Sequence, residues 1–131
     1  ENAKEIINKV KNRKWYQPFA CTIMLEHVHD YFDMKQLKES PWMSFALDCK
    51  QKAIDEVPGI VHVDNTCRVQ TLTKEQNIFY YDLLEEWYRQ TKCPILLNTS
   101  FNLKGEAIVE TLDDAIDTVN RSDIDVLYVS E

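Results

Sequence analysis

The chain has 131 residues, 44% of them hydrophobic, enough for one compact domain (1–131) with its own core and no need of disulfides or a structural metal. Its 15 Lys and Arg against 22 Asp and Glu leave a net charge of −7, which argues against nucleic acid or an anionic membrane as main partner. No apolar run reaches the roughly 18 residues of a membrane span, and the charged N-terminus lacks the apolar core of a signal peptide.

In chain order, Ala3, Ile6, Ile7 and Val10 recur at helical spacing, and Lys9, Lys11, Arg13 and Lys14 gather where cations favour a helix C-terminus. This predicts a helix over 2–12, stopped by Pro18. Phe19 to Leu25 has the bulk of a buried strand, and a short helix or loop with His27, His29, Tyr31 and Phe32 follows. After Ser40-Pro41-Trp42, Met43 to Leu47 alternates and reads as a strand, while 50–58 is polar and uninformative. Ile60 to Asp64 and Cys67 to Leu72 flank the turn signal Asp64-Asn65-Thr66 and predict a β-hairpin. A three-residue loop would put His62, Asp64, Arg68 and Gln70 on one face and Val61, Val63, Cys67 and Val69 on the other. Thr73-x-x-Gln76 resembles a capping box for a helix over 74–91, with Phe79, Tyr80, Leu83, Leu84, Trp87 and Tyr88 at helical spacing.

Pro94 to Leu97 reads as a short buried strand, delivering Asn98, Thr99, Ser100 and Asn102 at its carboxyl end, where open α/β sheets place ligands. Thr111-x-x-Asp114 caps a last amphipathic helix, and Ile124 to Val129 reads as a closing strand. The fold class is α/β, with α+β possible, around a mixed twisted open sheet with packed helices.

Four separated cysteines with no C-x-x-C pair indicate neither zinc nor disulfides, so reduced thiols in a cytoplasmic chain are expected. The chain starts at Glu1 without an initiator Met, as expected of a piece of a longer protein. Three clusters could carry chemistry. Lys11-x-Arg13 suits a polyphosphate or is a solvated basic face. Arg68 beside His62 and Asp64 is either a site or an exposed ion pair. Asn98 to Asn102, followed by Lys104 and Gly105, suits a phosphate or planar carbonyl, or is an ordinary polar turn. His62-x-Asp64 and His27-x-His29 supply two ligands each, too few for a metal site, so no metal is assigned. No triad elbow, P-loop or dinucleotide fingerprint is present.

Taken together, Lys11-x-Arg13 with Pro18-Phe19-Ala20, His62-Val63-Asp64-x-Thr66-x-Arg68-Val69-Gln70-Thr71, Asn98-Thr99-Ser100-Phe101-Asn102 with Gly105-Glu106, and Asp114-Ala115 resemble the C-terminal domain of the O-carbamoyltransferase family of nodulation-factor and antibiotic carbamoylation. The resemblance implies a YrdC-like fold, whose K-x-R and S-x-N signatures match Lys11-x-Arg13 and Ser100-x-Asn102. It implies a carbamoyl-adenylate-forming activity that joins ATP, with Mg2+, and carbamoyl phosphate to give carbamoyl adenylate and pyrophosphate. An N-terminal metal-binding domain, in cis or as a separate chain, would pass the carbamoyl group to an acceptor hydroxyl. Lys11, Arg13, Arg68, Ser100 and Asn102 would be catalytic. ATP and carbamoyl phosphate would bind through them and through His62, Asp64, Thr66, Asn98 and Thr99, with Lys11 and Arg68 in one phosphate site. Gln17 stands where many members have Arg, Lys14 where many have Glu, Cys21 where Pro is usual, Asn65 where Gly is usual, and Ala107 where Pro is usual. Losing the Arg at Gln17 removes a possible phosphate contact. Two alternatives remain: a non-catalytic nucleotide-binding or supporting module, and a ligand-free interaction domain.

Overall fold

A computed structural model describes residues 3–14 and 16–129. The chain forms two compact units, Pro18–Thr99 and a second built from Glu1–Gln17 with Ser100–Glu131.

The first unit holds a five-stranded mixed sheet in the order β2-β3-β4-β1-β5. Its strands are β1 (Ala20–Met24), β2 (Phe32–Asp33), β3 (Ala46–Cys49), β4 (Thr66–Leu72) and β5 (Ile95–Asn98). All five residues of β1 are buried, as its position between parallel β4 and antiparallel β5 requires. Side chains alternate across the sheet, so Cys21 and Ile23 join Cys67 and Val69 in one core with Val28, Tyr31, Phe32, Met34 and Leu47. The short helices α2 (Val28–Tyr31) and α3 (Gln51–Glu56) belong to this part, and the Tyr31 hydroxyl donates to Glu56 across 2.7 Å. On the opposite face Met24, Leu72 and Leu96 pack against Leu84, Tyr80, Tyr81 and Tyr88 of helix α4 (Ile78–Thr91).

The α/β expectation holds, but four local readings need correction. Residues 60–64 do not form a hairpin strand. Pro58–Ile60 is one helical turn, and β4 takes β3 and β1 as neighbours, so both its edges are occupied by distant strands. The turn itself is where it was expected, with Asn65 left-handed at φ 60° and the His62 amide donating to Thr66 O across 2.8 Å. Val63, expected on one face with Cys67 and Val69, is fully exposed at its tip, while Cys67 and Val69 are buried. The strand read at 43–47 lies at Ala46–Cys49, because Met43 is left-handed at φ 53° and cannot sit in a ladder. Helix α4 begins at Ile78, capped by Asn77 accepting the Tyr80 amide at 3.0 Å. Gln76 lies before the helix, its Oε1 accepting from the Thr73 amide at 3.0 Å and its Nε2 donating to Glu39 at 3.2 Å. Residues 124–129 form no strand; Val126, Tyr128 and Val129 are exposed, and a β-prone segment becomes a strand only where an edge receives it.

The second unit carries α1 (Ala3–Val10) and α5 (Leu112–Asn120). Of the helix read over 2–12, Asn2 lies outside the described residues. The cap of α5 is a complete capping box: Thr111 Oγ1 accepts from the Asp114 amide and Asp114 Oδ2 from the Thr111 amide, both at 3.1 Å. Thr111→Ala should cost about 0.5–2 kcal/mol of stability in urea unfolding. The Thr111 hydroxyl and amide hold the Asp114 carboxyl below its usual range. Because the folded-state value is the lower one, this contribution is present above the unfolded Asp value of about 3.9 and disappears as pH falls through the folded value. The stability difference between wild type and Thr111→Ala should therefore shrink in acid.

Candidate functional site

The site is built where α1 ends. Asn12 is left-handed at φ 51°, its amide bonds Lys9 O at 3.1 Å, and the Arg13 amide bonds Asn8 O at 2.8 Å. These two bonds make a Schellman cap, which spaces the cations: Lys11 is the cap residue, Asn12 the left-handed residue, and Arg13 the first beyond it. Asn is among the few non-glycine residues that adopt this backbone readily.

Lys11 turns inward and is only 7% exposed. Its Nζ donates to the Ser100 carbonyl oxygen, and lies 3.3 Å from both Ser100 Oγ and Asn102 Oδ1. Ser100 Oγ donates to Asn102 Oδ1 at 2.6 Å, and Asn102 Nδ2 donates to Glu106 O at 3.0 Å. The loop is shaped by Gly105 at φ 82°, where any side chain would be strained, and is anchored to α5 by Arg121. That guanidinium bonds Glu106 at 2.7 and 3.3 Å and Asp117 at 2.7 Å. Burial, then the nearby Arg13 charge, bring the Lys11 amine down to about 8, and burial lowers Arg13 as well.

Lys11, Arg13, Gln17, Ser100, Asn102, Leu103, Lys104 and Gly105 surround a cavity of about 220 Å³. Three of these side chains are cationic and none is acidic, so the hollow suits an anion bearing several oxygen acceptors. It falls below the roughly 300–1,000 Å³ of pockets that enclose a drug-sized molecule, and so fits a phosphate-bearing end better than a whole nucleotide. Lys11, Arg13, Ser100 and Asn102 thus come together although 89 positions separate Lys11 from Ser100.

The remaining expected residues lie in the sheet unit. The Phe19 carbonyl accepts from His62 Nε2 at 2.8 Å, Thr66 Oγ1 sits 3.3 Å from His62 Nδ1, and Thr66 donates to Asp64 at 2.7 Å. These three side chains brace a turn against the start of β1. The Thr66 hydroxyl, first among several contacts, holds the Asp64 carboxyl below its usual range. Arg68 is exposed beside them on β4, and Thr99 is half-buried after β5. Asn98 Nδ2 donates to Thr22 Oγ1 at 2.9 Å and Gln70 Oε1 at 3.1 Å, tying three strands together. Asn98 does not lie at the carboxyl edge of the central strands, because β5 runs antiparallel to β1 and ends opposite Ala20. Of the His27-x-His29 pair, His27 packs against Tyr88 with ring centroids 4.6 Å apart and the rings tilted by 50°, and no cluster of three or more His, Cys, Asp or Glu is placed to hold a metal among the described residues.

The family model described as carbamoyltransferase C-terminus matches residues 1–131. The chain belongs to the carbamoyltransferase C-terminal family. It is 41% identical over 126 residues to the uncharacterized protein MJ1051 of Methanocaldococcus jannaschii, covering 96% of this chain and 24% of that one. It is 36% identical over 130 residues to nodulation protein NolO of Bradyrhizobium diazoefficiens, covering 98% and 24%. Nodulation protein NolNO of Sinorhizobium fredii is 35% identical over 128 residues, covering 96% and 19%. The chain therefore spans about a quarter or less of these relatives' length. No helix among the described residues is long and apolar enough to cross a membrane.

Within this carbamoyltransferase C-terminal domain the pocket draws in one residue that motif reading treated only as a loss. Gln17 lines the cavity, and its Oε1 accepts from Arg13 Nε at 3.1 Å. Its sequence signals were the departure from the family's usual Arg and the four-residue spacing from Arg13. Asn65 replaces a usual Gly without difficulty, since the backbone there is left-handed and Asn tolerates it. Cys21, where Pro is usual, is fully buried with its sulfur 3.6 Å from that of Cys67.

Proposed function

We propose that this domain is the carbamoyl-adenylate-forming part of an O-carbamoyltransferase, acting in the cytoplasm. The observation that carries the reading is the seating of the Lys11 ammonium between Ser100 and Asn102, on the wall of an anion-suited cavity shared with Arg13 and Lys104. Carbamoyl phosphate loses its phosphoryl group to water as inorganic phosphate. The resulting carbamate oxygen then bonds to the α-phosphorus of ATP as the bond from that phosphorus to the β-phosphate bridging oxygen breaks. Carbamoyl adenylate and pyrophosphate result. Charge grows on the departing pyrophosphate, and fixed cations stabilise it without reorganising, the effect that dominates phosphoryl and nucleotidyl transfer. Lys11 and Arg13 supply those cations, Ser100 and Asn102 hold Lys11 in place, and Mg2+ enters with the nucleotide. Transfer to an acceptor hydroxyl is assigned to the rest of a longer polypeptide, matching the relatives' greater length.

The test is exchange of labelled pyrophosphate into ATP. Exchange should require carbamoyl phosphate and be indifferent to acceptor alcohols. A carbamoylated alcohol made by this domain alone would overturn the division of labour, and ATP binding without exchange would favour a non-catalytic nucleotide-binding module. One observation favours an interaction domain: Ile78, Phe79, Leu83 and Trp87 of α4 are 50, 54, 55 and 42% exposed, an apolar surface beside the helix's buried stripe. Calorimetry showing no heat with ATP, Mg2+ or carbamoyl phosphate would support that reading instead.

A further inference from the structure

Most hydrogen-bonding groups on the cavity wall already have partners in the protein. The Ser100 hydroxyl proton goes to Asn102 Oδ1, that oxygen also faces the Lys11 ammonium, and Asn102 Nδ2 serves the Glu106 carbonyl. Lys11, Arg13 and Lys104 bring charge. Gln17 differs from all of these. Arg13 Nε carries a proton and can only donate, so the Gln17 atom 3.1 Å from it is the carbonyl oxygen. This fixes the amide's orientation and turns Nε2, with two N–H donors, the other way; among the described residues Nε2 has no hydrogen-bond partner. Gln17 is half-buried and lines the cavity.

A neutral amide donor also bonds anionic oxygens, but the oxygens of a phosphate in this cavity already face two lysines and an arginine. The acceptor those cations leave over is an uncharged carbonyl oxygen attached to the anion, and the oriented N–H pair of Gln17 matches it. A site that hydrogen-bonds a polar group rejects analogues lacking the group, because its own donors are then left unpaired. We propose that Gln17 is the specificity residue for the carbamoyl carbonyl oxygen, selecting a carbamoyl-bearing phosphate over inorganic phosphate. The inference rests on the reading that this cavity takes the phosphate-bearing substrate. It gives Gln17 a role that an arginine in its place would fill poorly, since an arginine would bind both ligands through charge.

The experiment is calorimetry in the cold with two probes, carbamoyl phosphate and inorganic phosphate, on the domain as it stands. Gln17→Met should weaken carbamoyl phosphate by about tenfold and inorganic phosphate by less than about twofold, the loss expected for one neutral hydrogen bond. Gln17→Glu keeps an oxygen for Arg13 but removes both N–H donors. It should also lower the ratio of the two affinities, while its charge weakens both ligands. Equal losses for both probes in Gln17→Met would show that Gln17 only steadies Arg13, and unchanged affinities would show no role; either result overturns the proposal. A wild type that prefers carbamoyl phosphate but catalyses no pyrophosphate exchange would sink the adenylation reading and leave this one standing. Normal exchange with the same preference in Gln17→Met would do the reverse. A wild type that binds neither probe overturns both.

Discussion

Lys11→Ala should reduce affinity for pyrophosphate and for sulfate by about ten- to hundredfold, the loss of one charge-assisted contact of roughly 1.5–3 kcal/mol, and should slow exchange at least as much. The same ammonium makes the site sensitive to pH, because burial and then Arg13 bring its value down to about 8. Anion binding needs the charged form, so sulfate, which does not itself titrate in this range, should bind with constant affinity below pH 8 and progressively more weakly above it. The unliganded fold responds in the opposite sense. Folded Lys11 releases its proton near 8 and unfolded lysine near 10.4, so between these values the unfolded chain binds more protons and stability rises with pH. Lys11→Arg should remove both trends while keeping part of the affinity, since a guanidinium stays charged throughout. Ser100→Ala takes one oxygen from the Lys11 seat and leaves the Ser100 carbonyl, so its effect on sulfate binding should be the smaller one. Sulfate affinity unchanged in Lys11→Ala would remove Lys11 from the site altogether.

How much of this could be read from the residues depended on whether the relevant signal was local. The buried run at Phe19 to Leu25, the strand at Ile95–Asn98, the Thr111 cap and the long helix were legible because composition and periodicity declare them within a few turns of chain. The hairpin failed because alternation over 60–72 shows that strands can form but not which strands pair. Here β3 and β1, both distant in sequence, occupied the edges that a local partner would have used. The proposed closing strand failed for the related reason that strand propensity does not provide an edge. At the cavity, the Lys11 and Arg13 spacing was visible, but its cause was a left-handed Asn12 that no apolar pattern marks. Gln17 was legible as a departure from a motif, whereas its orientation depends on which atom faces Arg13, a matter of three-dimensional placement.

Helix α4 shows the same limit, and there Leu84→Ala should cost about 2–5 kcal/mol, the usual range for emptying a fully buried leucine site. Six apolar side chains at helical spacing suggested one broad inner face, yet the helix divides them. Tyr80, Leu84 and Tyr88 lie at successive four-residue steps and pack on Met24, Leu72 and Leu96, with Leu84 fully buried. Phe79, Leu83 and Trp87 follow the same step one position earlier and are 54, 55 and 42% exposed. Leu83→Ala is therefore the matched control: same residue types, same helix, neighbouring position, and an expected change within about 0.5 kcal/mol. Helix propensity cannot account for the contrast, because leucine and alanine rank close together and the substitution is identical at both sites. Against a total stability of roughly 5–15 kcal/mol for a domain, the Leu84 loss should move the urea midpoint far enough to be unmistakable, with an unchanged slope if only packing is lost. Equal losses at both positions would mean that α4 docks through a broader face than the one seen here. The exposed Phe79, Leu83 and Trp87 would then belong to the core, and the interaction reading would lose its support.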